Sequence, residues 1–176
     1  LSDSENRDVS RILHGIGDFE RISDHALNLS EGAREAYEKG ITFTDAAQRE
    51  LSVMFRAVSR ALEMATEAYN RQDMALAQRV EPLEEVIDNL GDKLKSRHIK
   101  RLSAGLCTVE TGFVFADLLN KLERIADHSS NLAICVIELD NDEYNVHEYA
   151  KRLEHMDEYA EMLKAAAEEF SLAEQP

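Results

Sequence analysis

The chain has 176 residues, 44% of them apolar, which suits one domain or two small repeats sharing a core. Seven Gly and two Pro leave too few breaks for a many-stranded sheet, and the rest is rich in the strong helix formers Ala, Leu, Glu, Lys and Arg. Thirty-five acids against twenty bases give a net charge of −15. Such a field repels phosphate backbones and anionic headgroups, which argues against direct nucleic-acid binding and direct lipid binding.

Start and stop signals predict five helices. Ser2 with Glu5 forms a capping box and Gly40 offers a stop, giving a first helix over about 3–39. Asp45 with Gln48 caps a second, which runs to about Asn70, and Arg71-Gln72-Asp73 reads as a turn. A third covers about 74–103, with Pro82 either kinking it or restarting it at a first-turn position. Ser103-Ala104-Gly105 breaks the chain, and Thr108 caps a fourth helix over about 109–139. Its Leu118, Leu122, Ile125, Ser129, Leu132 and Val136 form a nearly continuous stripe at helical spacing. After the turn at Asp140-Asn141-Asp142, Asn145 with Glu148 caps a fifth helix over about 146–170. Short connections between long amphipathic helices predict an all-α bundle of antiparallel neighbours.

Cys107 and Cys135 stand 28 positions apart with no CxxC, which suggests reduced thiols in a cytoplasmic protein. No apolar run approaches the roughly 20 residues of a membrane-spanning helix, and no signal-peptide pattern is present. The first residue is Leu1 instead of Met, so the chain is expected to be a piece of something longer.

The first and fourth predicted helices repeat each other. Phe19-Glu20-Arg21-Ile22-Ser23-Asp24-His25-Ala26-Leu27-Asn28-Leu29 matches Leu122-Glu123-Arg124-Ile125-Ala126-Asp127-His128-Ser129-Ser130-Asn131-Leu132 at a constant offset of 103. The shared pattern ERIxDHxxNL is too dense at polar positions to be explained by packing alone, and it indicates a duplicated unit. The expected organisation is the last helix of an incomplete first repeat in 1–40, a complete three-helix repeat in 41–140, and a helical extension in 141–176.

Within each motif, Glu20 and Asp24, or Glu123 and Asp127, lie four apart and stack on one helix face; Glu84 and Asp88 repeat the spacing. Like charges at this spacing repel by a few tenths of a kcal/mol, and a bound cation would offset the repulsion. The plainer alternative is a solvated acidic face. The Glu123–Asp127 stripe is expected to face away from the Leu122–Ile125–Leu132 stripe, toward solvent or a neighbouring bundle. His25 and His128 point about 100° away from the carboxylates and are expected to contact a neighbouring helix, with Arg21 and Arg124 forming ion pairs in the bundle. ExxH, HExxH, Walker-type loops and GxSxG are all absent, which argues against an enzyme. Tyr144, Tyr149 and Tyr159 read as packing or interface residues.

The doubled ERIxDHxxN resembles the signature of the PhoU family of phosphate-transport regulators, whose two three-helix repeats carry E/DxxxD motifs. Arg97-His98-Ile99-Lys100-Arg101-Leu102, Val109-Glu110, Asp117-Leu118-Leu119 and His147-Glu148-Tyr149 further resemble PhoU-like domains fused behind the membrane part of sodium/phosphate cotransporters. The resemblance implies a non-enzymatic, cytoplasmic regulatory domain at the inner face of the membrane. Its partner would be the transporter portion of the same polypeptide or a phosphate transporter. It also implies metal ions, divalent or iron or zinc, on Glu20, Asp24, Glu84, Asp88, Glu123 and Asp127, with no other cofactor. A half-missing bundle would expose apolar surface, which favours a homo-oligomer such as a dimer. The alternatives are a structural oligomerisation or adaptor module and a metal-dependent helical-bundle enzyme.

Overall fold

The computed structural model describes residues 3–140 and 157–172. Among the described residues the regular structure is entirely helical: α1 (Asp3–Glu38), α2 (Asp45–Arg71), the single turn α3 (Met74–Ala77), α4 (Val80–Ser103), α5 (Val109–Asp140) and α6 (Asp157–Glu169).

Local chemistry sets the boundaries. Gly40 adopts φ +66°, and the bonds from Gly40 N to Tyr37 O and from Ile41 N to Ala36 O close α1 as the glycine predicts. The α2 cap falls one residue earlier than expected: Thr44 Oγ1 accepts from Ala47 N at 3.3 Å. Asp45 then lies in the first turn, where its charge faces the positive end of the helix dipole. Gln72 takes a left-handed φ of 56° in the predicted turn, and Asp73 caps α3. The single third helix expected over 74–103 is two elements, because α3 stops at Ala77 and α4 starts at Val80. Pro82 thereby occupies the first turn of α4, where its missing N–H leaves no helical bond unmade. Thr108 caps α5 through Thr111 N at 3.1 Å. The Ser2 and Asn145–Glu148 caps lie outside the described residues, as do Tyr144 and Tyr149.

The core lies between α2, α4 and α5. Met54, Ile87, Leu94, Phe115, Leu119, Leu122 and Leu132 are its largest buried apolar side chains. Ala47, Ala57, Ala61, Ala65 and Ala68 give α2 a smooth face for close approach. The predicted stripe from Leu118 to Val136 is buried throughout. Lys95 meets Glu123 and Glu81 meets Ser130, so α4 and α5 are antiparallel.

Helix α1 packs along the opposite flank of α5, also antiparallel: Arg11 approaches Cys135, Asp18 meets His128, and Asn28 meets Lys121. Its other anchor is α2, where the Tyr69 hydroxyl donates to Arg11 O at 2.9 Å and the ring fits the space that Gly15 leaves. Helix α6 packs on α4, and Tyr159 donates to Glu85 Oε2 at 2.7 Å.

Composition does not reveal the ion cluster at the far end of the core. Glu50 is 4% exposed and pairs with Arg101 at 2.7 Å and Arg97 at 3.3 Å. His98 stacks on Phe115 beside it, with ring centroids 4.4 Å apart.

Candidate metal centre

One turn of α4 separates Glu84 from Asp88 and places both on the same side of the helix. Because α5 runs antiparallel beside that side, Asp127 arrives between them. One oxygen from each of the three carboxylates lies within 4.8 Å of the other two. Glu84 and Asp127 are half-buried, and Asp88 is exposed at the rim.

The electrostatics follow from that crowding. Burial, then the charges of Asp88, Glu81, Asp127 and Glu85, push the Glu84 carboxyl up to about 8. Asp88 is also raised, by burial and then by Asp127 and Asp92, while Lys95 acts in the opposite sense. Near neutral pH Glu84 is therefore pushed toward its protonated form. Ionising all three carboxylates together costs free energy, because like charges this close repel, and a cation between them would offset that cost.

The donor set fits a metal ion. It is all carboxylate oxygen, which suits hard cations such as magnesium or manganese and also suits iron, whereas zinc favours nitrogen and sulfur. Beside it the Glu123 carboxylate packs into the space left by the missing side chain of Gly91, where a Cβ would collide with it. When bound, a cation would supply the positive charge that lets Glu84 and its neighbours stay ionised together.

Residues 51–136 match the family model for the PhoU domain. The chain carries a PhoU-like domain. Across 155 residues it is 29% identical to the phosphate-specific transport system accessory protein PhoU homolog 1 of Thermotoga maritima. That alignment takes in 88% of this chain but 66% of the relative, so the chain spans just under two thirds of the relative's length. No solved structure matches the chain.

The matched span of the PhoU-like domain contains all three clustered carboxylates, and the remaining expected ligands are placed differently. Glu123 sits one turn before Asp127, and both its oxygens accept from Lys95 Nζ at 2.8 Å. Glu20 and Asp24 are exposed on α1, outside the cluster.

The stripe on α5 does not face solvent or another bundle as expected. It lines a groove with α4 inside the same bundle, because α4 flanks α5 along the edge of its apolar face. Glu123 is accordingly only 18% exposed.

His25 and His128 stack between α1 and α5 with centroids 5.7 Å apart. Asp18 Oδ1 meets His128 Nδ1 at 2.9 Å and accepts from Asn131 at 3.2 Å. Arg124 reaches Asp127 at 3.4 Å within its own helix. Sequence reading missed Lys95, Gly91 and the bond from Ser130 to Glu81. The available signal was spacing: Glu84, Asp88, Gly91 and Lys95 follow one another at steps of four, three and four along one helix face.

Proposed function

We propose that this PhoU-like domain is a non-catalytic regulator of phosphate transport, and that the Glu84–Asp88–Asp127 cluster binds a divalent metal clamping α4 to α5. The observation that carries the metal part is the convergence of three carboxylates within 4.8 Å, where burial and the neighbouring acids push Glu84 toward its protonated form. The regulatory part is supported by the relative named as a phosphate-specific transport accessory protein. The partner in this reading is a phosphate transporter or the membrane portion of the same polypeptide, as in the sodium/phosphate cotransporters that the sequence resembles, at the cytoplasmic face. No helix among the described residues is long and apolar enough to cross a membrane. The repeat boundaries at 1–40, 41–140 and 141–176 belong to the same reading.

Calorimetric titration with manganese(II) and magnesium(II) tests it. The wild-type chain is expected to bind, and Asp88→Asn with Asp127→Asn to weaken binding by at least about tenfold. A wild-type chain that takes up neither ion removes the metal from this reading. Unchanged phosphate uptake in cells carrying the double variant removes the cluster from regulation.

One observation favours a second role in self-association. At the offset of 103, Ile12 and Ile16 correspond to Phe115 and Leu119. The latter pair is buried under α2 and α4, while Ile12 and Ile16 are 49% and 56% exposed, with Leu13 and Leu27 alongside. A face built like a buried one, yet uncovered, suits a further helical partner such as a second copy.

A further inference from the structure

The groove between α4 and α5 holds an internal cation in addition to its acids. Asp127 lies opposite Glu84 and Asp88. One turn earlier on α5, Glu123 lies opposite Gly91 and Lys95. The fourth carboxylate is thus drawn away from the other three by an ammonium that grips both its oxygens at 2.8 Å. Glu123 and Asp127 are i,i+4 neighbours, about 5–6 Å apart at Cβ, and a rotamer change spans that distance. Gly91 puts no side chain between Asp88 and Lys95 on the face of α4 that Glu123 meets.

We propose that Lys95 is a built-in competitor of the metal: it holds Glu123 out of the ligand set, and removing its charge adds a fourth carboxylate to the Glu84–Asp88–Asp127 site. This rests on the metal reading above and adds what sets the strength of the site. Lysine suits the role because its ammonium is a compact point charge on a flexible stem, able to hold a carboxylate and to release it. Lys95 and Glu123 are partly exposed, so the pair exchanges with solvent.

The test is a titration of the whole chain with manganese(II), following the free ion by electron paramagnetic resonance. Lys95→Met is expected to bind at least about tenfold more tightly than wild type. In Lys95→Met with Glu123→Gln, affinity is expected to return to within about threefold of wild type. Because that double variant restores the wild-type net charge, both titrations are repeated in about 0.5 M salt, where a gained ligand keeps its advantage and a mere loss of repulsion is screened. An unchanged or weakened affinity in Lys95→Met overturns the proposal, and so does a gain that survives in the double variant. If neither wild type nor Lys95→Met binds manganese(II), the metal reading itself falls; if wild type binds and Lys95→Met binds no better, only the role of Lys95 falls. Helix content and the urea midpoint are checked for each variant, with Lys95→Gln as the replacement if Lys95→Met does not fold.

Discussion

Glu84 binds its proton more tightly in the folded chain than in the unfolded one, and this has a measurable sign. Its carboxyl titrates near 4.5 when free and at about 8 in the fold. Between those values the native state holds more protons, so raising the pH through this window destabilises the metal-free protein. Urea unfolding from about pH 5 to 8 is expected to give a falling stability that Glu84→Gln flattens and added manganese(II) offsets. A flat wild-type profile would count against the crowded cluster. Glu50 presents a different case, a carboxyl group paired with two arginines in the core. Removing one partner of such a pair leaves a buried charge uncompensated, so Glu50→Gln is expected to cost about 3–5 kcal/mol in urea unfolding. A loss below about 1 kcal/mol would show that water reaches Arg101. Neither environment could be read from residue spacing. Spacing along α4 lines up Glu84, Asp88, Gly91 and Lys95, but the Asp127 and Glu123 carboxylates that face them are brought there by the antiparallel register of α4 and α5.

At the level of elements, the helices were largely legible because their punctuation is local. Gly40, Thr108 and the Arg71–Asp73 turn act within a few residues of themselves, and each ends or starts a helix where expected. The break before α4 was half-legible, since Pro82 permits either a kink or a restart and packing decides. The facing of the acidic stripe was misread because its position depends on where α4 sits beside α5, a tertiary fact. Helix α1 is the least secured of the long helices, resting on α5 and on the end of α2. Its tie at Tyr69 can be cut singly. Tyr69→Phe removes the bond to Arg11 O and is expected to cost about 1 kcal/mol, seen as faster hydrogen exchange in α1 with α2, α4 and α5 unchanged. Equal acceleration in all four helices would mean that α1 opens only when the whole bundle does.

For the whole molecule, the duplication was visible in the sequence, while the different fate of its two copies was not. The copy on α5 is buried on its apolar side and clustered on its acidic side; the copy on α1 buries Ile22, half-buries Phe19 and Leu29, and leaves Glu20 and Asp24 exposed. If a second chain covers α1, Leu13→Glu with Ile16→Glu is expected to convert a dimer to a monomer in sedimentation equilibrium, with helix content retained. A wild-type monomer at about 100 μM, far above the dissociation constant of a stable interface, would dismiss that role. The two flanks of α5 meet at a single peptide bond, since Asp127 turns to α4 and His128 turns to α1. Consecutive side chains on a helix are fixed about 100° apart, so they cannot be aimed independently. Any roll of α5 that carries Asp127 toward α4 swings His128 through the same angle against Asp18 and His25, and α1 must follow or let go.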